Sequence, residues 1–173
     1  PEDEFGGSNF EYEIDQDTEL YLPLNSGFDD QSKKGHIISV NRDVQIKNGA
    51  AYFNGSSSLK LSNSDSWQFN RGDFTLECWI KPGQWSKRNW GWGKGKWRCL
   101  IGYRSKWHCR NGFDVFLKDN GDFWFCVGQT YTPIVNGQGL VRMEKWNHVA
   151  FTRRDGQQHP NRKNYNTNSH KHF

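Results

Sequence analysis

Long apolar runs are missing from this 173-residue chain, and with them the mark of a membrane span, which needs roughly 18 or more consecutive apolar residues. No basic stretch followed by an apolar one opens it, so no secretory leader is visible. The first residue is Pro1 rather than Met, as expected of a fragment or processed product whose leader would leave no trace. Hydrophobic residues make up only 34% and the mean hydropathy is -0.97, a polar balance for a chain that must fill a core. Methionine occurs once, and no useful stretch repeats apolar residues at the helical period.

What the chain has instead is rings. Aromatics account for 16% of it, with nine Trp and twelve Phe, and each buried ring removes roughly 150–250 Å² from water. The expected core is therefore aromatic rather than aliphatic. The net charge of +4 conceals an asymmetry, because residues 1–19 hold eight acids and no Lys or Arg, leaving a basic body behind an acidic leader. Such a body attracts anionic partners, which is a statement about binding and not about fold. The four Cys suit either a disulfide-permitting compartment or four buried thiols, and their spacing is not that of a zinc site. Cys99 and Cys109 flank a short segment that a bridge would staple, although three connectivities are open.

Short alternating segments punctuated by turn residues run through the middle of the chain. Strands are expected at 20–24, 37–40, 44–46, 50–53, 58–61, 74–80, 99–103, 113–117, 123–127 and 146–153. Asn48-Gly49, Asn54-Gly55 and Asp119-Asn120-Gly121 supply the turns, the last joining two alternating runs as a hairpin. In 74–80 the pattern is clean, with Phe74, Leu76, Cys78 and Ile80 on one face and Thr75, Glu77 and Trp79 on the other. About ten short strands at roughly 8–12-residue spacing predict an all-β antiparallel sandwich or jelly roll. Residues 157–173, rich in Asn and His, read as a disordered tail and 1–19 as a flexible leader, which leaves 20–156 for the sandwich.

Four segments carry a resemblance: Leu20-Tyr21-Leu22-Pro23-Leu24, Ala50-Ala51-Tyr52-Phe53-Asn54-Gly55, Gly72-Asp73-Phe74-Thr75-Leu76-Glu77 and Trp146-Asn147-His148-Val149-Ala150. In kind and order they resemble the laminin G-like, or concanavalin A-like lectin/glucanase, superfamily. The resemblance implies two curved antiparallel sheets, carbohydrate binding, sometimes with calcium, and a place as a module in extracellular, adhesin or virion tail proteins. After a strand like 146–153 that family continues with a Tyr-Val-Asp-Gly-like turn and further strands, one of which closes on the N-terminal strand. This chain runs instead into its Asn/His tail, so the sandwich is expected to be incomplete, with open edges that other domains or chains would complete.

The chemistry concentrates between Glu77 and Asp114, an interval with no acid, nine Lys or Arg and, counting Trp79, Trp85, Trp90, Trp92, Trp97 and Trp107, six of the nine Trp. Rings stack on sugars and interleaved cations pair with sulfate or carboxylate. Trp85, Arg88, Trp90, Trp92, Lys94, Lys96, Trp97 and Trp107 are the candidate contacts for a glycan, anionic by this charge, and nucleic acid is not the expected partner. The alternative is that several of these rings are core and the cations a solvated loop. Glu13, Asp15 and Asp17 stand at i, i+2 and i+4, a spacing that on a strand would share one face as a glucanase-like hydrolase requires. Asp29, Asp30 and Asn54 offer loop oxygens of the kind calcium takes, and of the kind turns use. The expected function is non-catalytic carbohydrate binding or adhesion at an extracellular or virion surface. A hydrolase or a ligand-free structural domain is the alternative.

Overall fold

The computed structural model describes residues 13–62, 67, 72–83, 97–103, 112–127 and 135–153. Its contacts divide the chain into two compact units, Pro1–Ser66 and Trp67–Phe173, a division that falls inside the span expected to form one sandwich. All ladders are antiparallel, and no α-helix occurs among the described residues. No helix is long and apolar enough to cross a membrane there.

In the first unit, β1 (Ile38–Asn41) pairs with β4 (Ser58–Leu61), and β2 (Gln45–Lys47) pairs with β3 (Ala50–Tyr52). The β2–β3 turn is Asn48-Gly49, with φ of 50° and 71°, the doubly left-handed geometry that matches a hairpin's twist. Leu20–Leu24, expected as a strand, is not one. Pro23 has no N–H to donate and Leu24 turns left-handed at φ 56°, so the run cannot extend a ladder. Tyr21 is held locally instead, its carbonyl accepting from Gln31 N at 2.8 Å and its N–H donating to Asp30 Oδ1 at 3.1 Å.

The second unit holds the core. β5 (Phe74–Ile80) pairs along its whole length with β10 (Asn147–Arg153), while β6 (Trp97–Tyr103), β7 (Phe113–Lys118), β8 (Phe123–Val127) and β9 (Val135–Gly137) form a four-stranded sheet in chain order. Alternation turns Phe113, Val115 and Leu117 of β7 and Phe123 and Phe125 of β8 to one side. There they meet Val149 and Phe151 of β10, with Phe74, Leu76, Cys78 and Ile80 of β5 packed alongside. Phe151 stacks on both Phe123 and Phe125 at 4.9 Å, and Phe125 is fully buried. Two layers thus face each other across an aromatic core, which is a β-sandwich.

Two local features set which residues look outward. The β7–β8 connection is a three-residue loop in which Gly121, at φ 83°, donates to Lys118 O while Lys118 N donates to Asp122 O. It fixes Phe116 opposite Trp124. In β6 the register steps from Cys99↔Phe116 to Ile101↔Val115, so Leu100 is an extra residue, a β-bulge. Before the bulge Trp97 and Cys99 share the outward face; after it Ile101 and Tyr103 turn to the core.

Candidate functional site

The outward face of the four-stranded sheet is built in rows by register. Trp97 lies beside Lys118, then Cys99, Phe116 and Trp124 form a row across β6 to β8, then Gly102, Asp114 and Cys126. The two ends of this face differ. At the Asp114 end it is closed: Asp114 is 0% exposed and Cys126 2%. Gly102 makes room for that carboxylate, since a Cβ there would stand 2.6 Å from Asp114 Oδ1. The Cys99 thiol lies 3.7 Å from the same oxygen.

At the other end the face is half-open and aromatic. Trp97 and Trp124 reach across β7 to meet with ring centroids 3.9 Å apart, and Phe116 presents its edge to Trp97 at 6.4 Å. Lys118 Nζ stands 5.3 Å from the Trp97 ring centre, a cation over a π face. The same ammonium is 3.7 Å from Asp122, so it is held from two sides. Asp122 is itself anchored: the Asn120 amide, the Gly139 N–H and Lys118 outweigh its slight burial and hold its carboxyl below the ordinary carboxylate range. An indole pair with an oriented ammonium is able to stack on a ring and donate to an anionic or hydroxyl oxygen.

A family model described as the concanavalin A-like lectin/glucanases superfamily matches residues 53–161. The chain belongs to that superfamily. Comparison with curated proteins and with solved structures returns no match. Its concanavalin A-like signature residues have plain physical work. In Trp146-Asn147-His148-Val149-Ala150, Val149 is core, and Asn147 ties a turn: its Oδ1 accepts from Arg142 N at 2.9 Å while Nδ2 donates to Arg142 O and Lys145 O at 2.9 and 2.7 Å. At the entry to β5, the Arg153 guanidinium donates through Nε and Nη2 to the Gly72 carbonyl and lies 4.9 Å from the Phe74 ring centre.

Of the glycan contacts expected from the sequence, Trp97 lies on this face. Trp85, Arg88, Trp90, Trp92, Lys94, Lys96 and Trp107 lie outside the described residues. Phe116, Lys118 and Trp124 went unnoticed in the sequence, although the turn at Asp119-Asn120-Gly121 and the alternation of the strands around it place all three on one side.

Other expectations meet different geometry. Glu13, Asp15 and Asp17 are exposed and lie on no strand, so the shared face that catalysis needs is not formed. Asp15 Oδ1 accepts from Asp17 N at 2.9 Å and Thr18 Oγ1 at 2.8 Å, a turn whose Thr18 hydrogen bond keeps the carboxyl below its usual range. Asp30 organises a loop: Oδ1 accepts from the N–H groups of Tyr21 and Ser32, and Oδ2 from the Ser32 hydroxyl and the His36 N–H. Burial works to raise the Asp30 carboxyl, but these donors prevail and lower it. Asn54 Oδ1 likewise serves Ser56 N, Ser56 Oγ and Ser57 N, all within 3.0 Å, and Asp29 is exposed. Among the described residues no group of three or more His, Cys, Asp or Glu is placed to hold a metal ion.

Proposed function

We propose that this chain is a non-catalytic carbohydrate-binding module of a larger adhesion protein, extracellular or on a virion surface, whose sugar platform is Trp97, Phe116, Lys118 and Trp124. The observation that carries the reading is the half-open indole pair meeting over β7 with an ammonium above one ring. Rings so placed offer a flat apolar face to a pyranose, and Lys118 favours a glycan that carries carboxylate or sulfate. Membership of a lectin/glucanase superfamily supports binding in general, and the turn-bound Asp15 gives no support to the glucanase alternative.

A glycan array at low salt tests the reading. Retention of uronate-containing or sulfated glycans is expected, lost in Trp97→Ala and Trp124→Ala and weakened several-fold in Lys118→Ala. A blank array with folded protein favours the ligand-free structural domain. Turnover of a β-glucan abolished by Glu13→Gln would favour the hydrolase.

A further inference from the structure

The first unit is built from two-stranded ladders, and an isolated pair of strands is marginal in water. In the β1–β4 ladder, alternation puts Ile38 and Val40 of β1 with Leu59 and Leu61 of β4 on one face, and Ser39, Asn41, Ser58 and Lys60 on the other. The apolar face is only partly covered: Ile38, Leu59 and Leu61 are half-buried and Val40 is 46% exposed. The backbone shows which groups are left over. Ser62 N donates to Ile37 O at 3.1 Å, which makes Ile37 and Ser62 a hydrogen-bonded pair, and along the same register Ser39–Lys60 and Asn41–Ser58 are hydrogen-bonded pairs as well. The N–H and C=O groups of Ile38 and Val40 therefore point away from β4, to an edge that no strand among the described residues occupies.

That edge is complementary to itself. When two copies meet antiparallel with Ser39 facing Ser39 across a two-fold axis, Ile38 of each stands opposite Val40 of the other. This one register meets both requirements of a sheet. The side chains keep their faces, so the apolar face runs on through Leu61 and Ile38 of one copy to Val40 and Leu59 of the second, and the outward N–H and C=O groups of Ile38 and Val40 exchange both bonds in each pair. A slip of one residue would set Ser39 opposite Val40 and mix the faces. β4 has an equivalent edge, with the backbone groups of Leu59 and Leu61 pointing out, but its two-fold would set Lys60 directly against Lys60, and like charges so placed are destabilising. A lysine on an edge strand guards it against strand addition. Charge thus closes one edge and leaves the other open.

We infer that the β1 edge is a homodimer interface, which joins two copies of this chain into one continuous antiparallel sheet centred on Ser39. The pairing is isologous and limits itself: it consumes the open β1 edge of both copies and leaves only the Lys60-bearing edges outside, so growth stops at the dimer. At its ends Ile37, 76% exposed in the single chain, comes to lie opposite Asn41 of the second copy. So short a pairing is small beside a stable interface of roughly 1,200 Å² or more, and the association is weak, about micromolar or above. It uses no residue of the aromatic face and stands whether or not that face binds a glycan.

Sedimentation velocity of the full chain over a concentration series tests the interface, with far-UV circular dichroism as the folding control. A monomer–dimer equilibrium is expected for the wild type. Ser39→Lys, whose side chain lies on the polar face, should weaken dimerisation about tenfold or more by setting two ammonium groups against each other across the axis. Val40→Pro removes an N–H that points to the open edge and none that bonds β4, so it should weaken the dimer while the β1–β4 ladder persists. Ser39→Lys decides the matter if Val40→Pro fails to fold. Ser39→Cys should give a disulfide-linked dimer on oxidation, at a yield well above that of the wild type and of Ser58→Cys, because facing residues of a non-hydrogen-bonded pair stand close enough to bridge. A monomer at every concentration, dimers untouched by Ser39→Lys, or no added cross-link in Ser39→Cys would overturn the interface. Growth beyond the dimer would overturn it too, and would point to β1 of one copy adding to β4 of the next.

Discussion

Asn147 gathers more backbone groups than any apolar residue could. Its amide satisfies Arg142 N, Arg142 O and Lys145 O and reaches Ile80 O at 3.5 Å, closing the turn that delivers β10 to β5. Asn147→Ala is expected to cost about 2–3 kcal/mol, since three bonds go unmade and partly buried groups lose their partner. Urea denaturation would show it as a lower midpoint with an unchanged slope. Gly102 is a second sensitive position: the carboxylate that a Cβ would meet is fully buried and cannot swing aside, so Gly102→Ala should destabilise by about 1–3 kcal/mol. A milder cost would mean that Asp114 moves. Both residues were visible in the sequence, Asn147 inside a recognisable motif, yet neither role was. A side-chain amide that bridges turn carbonyls, and a glycine that seats the carboxylate opposite it on the neighbouring strand, depend on register, which no single segment encodes.

Strands with regular alternation or a bounded apolar run were legible; strands with neither were not. Residues 74–80 carry a period-two pattern and 123–127 a short apolar run bounded by a turn, and β5 and β8 occupy those spans. Val135–Gly137 is too short and too polar to announce itself, and it forms β9 because β8 offers it an edge. Leu20–Leu24 is apolar enough to suggest a strand, but its proline and left-handed leucine deny it a ladder. The core of the β-sandwich makes two predictions. Phe125→Ala should cost about 3–5 kcal/mol, because Phe151, Phe113 and Phe74 all pack on that ring. Cys78, on the inward face of β5, has its thiol pushed up to about 11 by burial and, secondarily, by the Glu77 carboxylate. A raised folded value means the stabilisation is complete below the unfolded value of 9.0 and is lost as pH climbs from there through about 11. The loss should be about 2–3 kcal/mol. Chemical denaturation across that range, compared with Cys78→Val, isolates it; parallel curves for the two proteins would refute it.

At the scale of the whole molecule, the sandwich carries its aromatic cluster on the outward face of the four-stranded sheet and packs a largely apolar core behind it. The sequence pointed to a Trp-rich basic interval, and of the residues it nominated Trp97 lies on the aromatic face; Phe116, Lys118 and Trp124 come from a hairpin whose composition gave no warning. If Lys118 supplies charge to the aromatic face as proposed, binding of sulfated glycans should weaken several-fold as salt rises, and an affinity that stays level across a salt titration would count against it. One residue decides which side chains of β6 face outward. Because Leu100 is the single unmatched position between Cys99 and Ile101, removing it would make their two pairs consecutive and, by plain alternation, keep Trp97 and Cys99 outward and Ile101 and Tyr103 inward. Removing Gly102 instead would set Ile101 or Tyr103 opposite Asp114 and turn it out of the core. β6 should therefore accept deletion at Leu100 but not at Gly102, a distinction that a deletion scan would register and that comparison of point variants never would.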